Sequence, residues 1–248
     1  MASVVLVKLG GSLITDKSVP FSYRSEVVSS LGKEIAASRV RMVIVHGGGS
    51  FGHTVAKKYG LSSTRFSPSS EGVSETRAAM YELNIRVCKS LTDSGVRSYV
   101  FAPFDLTLRW RSQAASWLNN LMEAGLVPTT FGDVSSSPEG FRVLSGDTIM
   151  YELAKMLKPV RCVFTLNVDW IYEGRAHTLV PEISPEKMRR MKVESGDDAT
   201  GGISLKLRMA AKLASTGTTV SFVSGFRRKE FSKALNGLSF HGTIVSST

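Results

Sequence analysis

Short, unbroken apolar runs recur along the chain, separated by stretches with helical spacing. Val4-Val5-Leu6-Val7 and Met42-Val43-Ile44-Val45 are continuous rather than alternating, the pattern of strands buried on both faces. They predict strands over 4–9 and 42–46. Further strands are expected over 96–101, 126–131, 160–166, 218–223 and 241–245. Helices are expected over 22–38, from Gly52 onward, and over 71–94, 112–124, 147–157, 203–216 and 227–235. In the longest of these, Met80, Leu83, Val87 and Leu91 fall at helical spacing. Gly95 and Gly125 suit helix ends, and Pro159 stops the helix before it. The turn formers Ser135-Ser136-Ser137-Pro138-Glu139-Gly140 predict a hairpin. Strands alternating with helices give an α/β chain whose mainly parallel sheet is covered on both faces. A charged stretch poor in long apolar runs, 172–200, marks the candidate lobe boundary.

Composition narrows the class. The 248 residues suffice for one large α/β domain or two small lobes. Hydrophobic residues at 42% and charged residues at 21% describe a globular chain with a sizeable core. Lys8 interrupts the first apolar run too early for a signal peptide, and no run reaches the roughly 18 apolar residues of a membrane span. Cys88 and Cys162 fall in patterned segments and read as reduced and packed, which fits a cytoplasmic setting. Lys and Arg total 31 against 21 Asp and Glu, a net charge of +10 that favours anionic partners. The basic residues are scattered without interleaved aromatics, so nucleic acid is not expected.

The chemistry sits where strands end. Lys8-Leu9-Gly10-Gly11-Ser12, with Lys17 beyond it, follows the first run; Gly47-Gly48-Gly49-Ser50-Phe51-Gly52 follows the second. Glycines let backbone N–H groups approach a ligand closely. Each loop alone reads first as a turn. Two such loops, flanked by lysines and opening at one sheet edge, point to a site that handles phosphate twice. Neither is a Walker A sequence or a dinucleotide fingerprint. Asp147, after Ser145-Gly146 at a helix start, reads as an N-cap. His46 reads as a loop anchor, while His177 and His241 carry no motif.

The set Lys-Leu-Gly-Gly-Ser-Leu-Ile-Thr-Asp-Lys (8–17), Val-His-Gly-Gly-Gly-Ser-Phe-Gly-His (45–53), Gly-Asp-Val (132–134), Ser-Gly-Asp (145–147) and Thr-Gly-Gly-Ile-x-x-Lys (200–206) resembles the amino-acid kinase superfamily. Within it, the Ile-Thr-Asp-Lys extension and His53 resemble the isopentenyl phosphate kinases, with fosfomycin kinase a near rival. The resemblance implies a three-layer αβα sandwich with about eight strands and a homodimer built on a long helix, for which 71–94 is the candidate. It implies a single domain over 1–248. Lobe 1–158 would bind the phosphate acceptor and lobe 159–248 the nucleotide.

Activity and residue roles follow from the same resemblance. It implies ATP and Mg²⁺, the metal having no dedicated protein cage. Lys8 and Lys17 would flank the transferred phosphoryl group, with Asp147 orienting them. Gly48, Gly52, His53 and Gly146 would meet the acceptor, isopentenyl phosphate. Lys8, Gly10, Gly11, Ser12, Gly49, Asn167, Asp169, Gly202 and Lys206 would meet ATP. The tail pocket should be apolar, with Val73, Met80 and Phe104 as candidate walls. Asn167 stands where the resembled pattern has Asp, and Trp170 where it has Gly. Both departures bear on the nucleotide site. Another phosphate or phosphonate acceptor, or a nucleotide sensor without turnover, are the alternatives.

Overall fold

The computed structural model describes residues 3–62, 67, 69–103, 111–137, 139–168, 172–173, 178–190 and 202–246. In chain order the strands are β1 (Val4–Leu9), β2 (Arg41–His46), β3 (Ser98–Val100), β4 (Val127–Phe131), β5 (Asp133–Ser137), β6 (Gly140–Leu144), β7 (Arg161–Leu166), β8 (Tyr172–Glu173), β9 (Thr178–Leu179), β10 (Glu182–Ile183), β11 (Thr219–Ser224) and β12 (Gly242–Val245). The helices are α1 (Gly11–Ile14), α2 (Ser25–Ala37), α3 (Gly49–Lys58), α4 (Ser70–Asp93), α5 (Arg111–Glu123), α6 (Gly146–Leu157), α7 (Pro185–Arg190), α8 (Gly202–Ala214) and α9 (Glu230–Asn236).

Eight strands form one sheet in the order β10-β12-β11-β7-β1-β2-β4-β3. All pairings in it are parallel except β11 with β12. The unbroken apolar run of β1 has its cause here: the strand is central and buried throughout. Its side chains alternate between two cores. Val4 and Leu6 join residues of α5, α6 and α8 on one face. Val5, Val7 and Leu9 join residues of α2, α4 and α9 on the other. The result is the expected three-layer α/β sandwich.

Several elements depart from the periodicity. The turn α1 stands directly behind the first glycine loop, too short to carry a periodic signal. The helix expected from 22 starts at Ser25, because a Thr15–Tyr23 bridge holds the preceding residues in a loop. Helix α3 starts inside the second glycine loop, at Gly49 rather than Gly52. The helix expected from 227 starts at Glu230, since Lys229 is left-handed with φ 66°. The hairpin forms as β5 and β6. Cys88 and Cys162 are unbridged.

Candidate active site

The chain runs from β1 outward through β2 to β4 and β3, and later from β7 outward on the other side of β1. This reversal beside β1 is where an open parallel sheet leaves a crevice at its carboxyl edge. Both glycine loops open there, and they touch. A Cβ on Gly11 would lie 2.5 Å from the Gly49 nitrogen, and one on Gly47 would lie 2.8 Å from the Gly11 nitrogen. Gly49, at φ +49°, also sits against Thr15. The Thr15 hydroxyl donates to the Gly11 carbonyl (2.7 Å) and accepts from the Ser50 N–H (2.9 Å), so one side chain ties both loops. On the other side, Gly10 N–H donates to Thr165 Oγ1 (3.3 Å), which donates to the Lys8 carbonyl (3.0 Å).

Lys8 is the last residue of β1 to face the α6 side. Its side chain is only 4% exposed, and the ammonium lies 2.8 Å from Asp147 Oδ1. A Cβ on Gly146 would strike Lys8 Cε at 2.7 Å, so that glycine gives the lysine passage. Helix α6 is capped by Ser145, which accepts from the Thr148 N–H (3.1 Å). Asp147 is therefore not the cap, contrary to the sequence expectation, and its carboxylate is left for Lys8. Burial pushes the Asp147 carboxyl up. The charge of Lys8, then that of Lys206, the Lys8 hydrogen bond and the charge of His53 outweigh burial, and the net shift is downward. A buried ammonium without such a partner is costly.

These groups line a cavity of about 500 Å³, within the size range of small-ligand sites. Its walls bring together Lys8, Gly10, Gly11, Ser12, Lys17, Gly48, Gly52, His53, Gly146, Asp147, Asn167 and Lys206. Ser12 Oγ donates to Asn167 Oδ1 (3.2 Å), linking the first loop to the end of β7. Gly49 is not in the wall; it packs behind Gly11. Gly202 opens α8, a helix start that favours anions. Asp169, Trp170, Phe104 and His177 lie outside the described residues. Met80 joins the wall, its sulfur against the bare faces of Gly48 and Gly52. Val73 instead packs in a small cluster with Ala56, Leu61 and Val134.

Other contributors were given no role by the sequence. Asp133 is buried in the wall and paired with Arg77 Nε at 3.2 Å. Burial raises its pKa more than the Val134 amide and Arg77 lower it. Thr76 lines the same wall. His46 anchors the second loop as expected. Its Nδ1 is 3.1 Å from the Gly47 carbonyl and its Nε2 is 3.1 Å from Asn84 Oδ1 on α4. Burial above all holds its pKa down at about 4, against the Gly47 and Asn84 contacts and with the Lys8 charge adding to the depression. The Gly-Asp-Val signal marked Asp133, but Arg77 lies 56 residues away on another element and no local pattern joins them.

A strand-end cavity with convergent lysines and bare amides is what phosphate handling needs. The model of the Amino acid kinase family matches residues 3–224. The chain belongs to the amino acid kinase family. Among its relatives, the isopentenyl phosphate kinase of Thermoplasma acidophilum is 30% identical, covering 98% of this chain and 100% of its own. That of Haloferax volcanii is 32% identical over 83% of this chain and 86% of its own. A crystal structure of an isopentenyl phosphate kinase substrate complex superimposes with a TM-score of 0.79 at 28% identity, covering 97% of this chain and 99% of that one. No helix among the described residues is long and apolar enough to cross a membrane.

Proposed function

We propose that this chain is an ATP-dependent kinase that phosphorylates isopentenyl phosphate to isopentenyl diphosphate. The observation that carries the reading is the cavity itself: Lys8, Lys17, His53 and Lys206 around Asp147, between two glycine loops in contact. Phosphoryl transfer needs little covalent help from a protein. Alignment and fixed positive charge do most of the work.

Lys8 and Lys17 flank the phosphoryl group in transit, and Asp147 fixes the Lys8 ammonium. His53, with Gly48, Gly52 and Gly146, holds the acceptor phosphate. The amides of Gly11 and Ser12 meet the nucleotide phosphates, with Gly49 supporting them from behind; Gly10, contrary to the sequence expectation, gives its N–H to Thr165 Oγ1 and ties the loop to β7. Asn167, Asp169, Gly202 and Lys206 bind the rest of ATP. Ala56, Met80, Val143 and Leu144 give the cavity apolar walls that suit a branched hydrocarbon tail. Among the described residues no group of three His, Cys, Asp or Glu side chains is arranged to hold a metal. The donor set fits a Mg²⁺ that arrives on the nucleotide phosphates and keeps its waters. The working form is a cytoplasmic homodimer joined through α4.

ATP consumption, measured with a panel containing isopentenyl phosphate, dimethylallyl phosphate, fosfomycin and acetylglutamate, tests this. Turnover is expected to be fastest on isopentenyl phosphate. Faster turnover of fosfomycin would move the activity to phosphonates, and ATP binding without turnover on any acceptor would leave a sensor.

A further inference from the structure

Arg24 stands just before α2, at the end of the loop that carries Lys17. Its side chain reaches three separate segments at and around the site. Nη1 donates to the Ser12 carbonyl at 3.1 Å, inside the first glycine loop. Nη2 lies 3.0 Å from Asp16 Oδ2, on the residue next to Lys17. The guanidinium carbon sits 6.0 Å from the ring centre of Phe226, which follows β11. Its own backbone N–H donates to the Ile14 carbonyl at 2.8 Å, closing the loop at its base.

The remainder of the loop is held too. Asp16 Oδ1 accepts from the Ser18 N–H (3.0 Å) and hydroxyl (2.7 Å). Ser50 and Ser22 exchange bonds in both directions, tying the loop to the second glycine turn. Lys17 projects from the middle of this frame into the cavity. An ion pair as exposed as Arg24 and Asp16 adds little stability. What the planar fork supplies is geometry, since its donors have fixed mutual directions.

We propose that Arg24 is a positioning residue for the transfer step: it holds Ser12 and the Asp16–Lys17 segment in register with each other and with the chain after β11. The inference rests on the kinase reading given above. Arg24 is not among the residues lining the cavity, so its loss falls on alignment. Small displacements at a transfer site cost rate steeply.

The test compares Arg24→Ala and Arg24→Lys with the wild type in full steady-state kinetics. Arg24→Ala should lower kcat roughly 10- to 100-fold with little change in either KM. Added guanidinium ion should restore part of the loss, where equal sodium chloride does not. Arg24→Lys keeps the charge and loses the fork, so it should recover only partly. A second readout needs no acceptor: the rate at which an amine-reactive reagent labels Lys17 with ATP bound, followed by peptide mass spectrometry. That rate should rise severalfold in Arg24→Ala and fall again with guanidinium. Unchanged kcat and labelling overturn the proposal, as does a loss that follows the unfolded fraction and resists guanidinium. If the wild type does not turn over isopentenyl phosphate, the kinase reading falls, and the Lys17 labelling alone upholds or overturns the clamp.

Discussion

A buried histidine under a glycine loop sets a limit on acid tolerance. His46 is fully enclosed, and its pKa is held at about 4 against an ordinary 6.5. Between these values the unfolded chain binds a proton that the folded chain refuses, so stability rises with pH across that window. The contribution is complete above pH 6.5 and is lost as pH falls toward 4, about 3 kcal/mol in all. Thermal melts from pH 7.5 down to 4.5 should therefore show a falling Tm, and His46→Gln should flatten that slope. A parallel decline in both proteins would assign the acid sensitivity elsewhere. The residues of the site were unevenly legible in the sequence. Lys8 and the glycines stood out because they end apolar runs, whereas Lys17, a surface lysine by its own surroundings, stood out only through the family resemblance. Arg24, Thr15 and Arg77 did not, because each acts on a partner that only the fold brings near.

At the scale of elements, the two glycine loops behave as one unit. Gly11 and Gly49 are separated by no side chain, and the three atoms nearest a Cβ on Gly11 are all backbone, at 2.5, 2.9 and 3.4 Å. Nothing there can rotate aside. Gly11→Ala should force the loops apart, at about 1–3 kcal/mol of stability. That is a Tm lower by roughly 2–4 °C per kcal/mol for a chain of this size. Turnover should fall further than stability, because the amides proposed to meet the nucleotide move with the loop. A melt and a kcat measured on the same preparation decide it, and wild-type values for both would mean that the loops separate freely. Strand and helix order was readable from the alternation of short apolar runs with helical spacing. The reversal of β12 was not, because parallel and antiparallel buried strands share one apolar pattern. The start of α2 was obscured by a Thr15–Tyr23 bridge that no period records.

For the whole molecule, the proposed homodimer has a surface to match. Helix α4 buries Met80, Leu83, Val87 and Leu91, the stripe expected from its spacing. Its outer side exposes Tyr81 at 40% and Ile85 at 67%. The sheet ends in β3, where Tyr99 and Val100 are also exposed. Exposed apolar groups beside the edge strand of the sheet, as the described residues form it, are what a second copy would cover. Ile85→Arg should convert the proposed dimer to a monomer in sedimentation experiments, with the fold retained by circular dichroism. Persistence of the dimer would move the interface away from α4.

One lysine grows from the sheet's innermost strand and the other from a surface loop. Lys8 is clamped between β2 and β7, in the part of such a molecule that opens least often. It works as a fixed post. On the proposed kinase reading the transfer path is thus measured from Lys8, and Lys17 meets it from a loop whose Asp16 and Ser22 are themselves tied down.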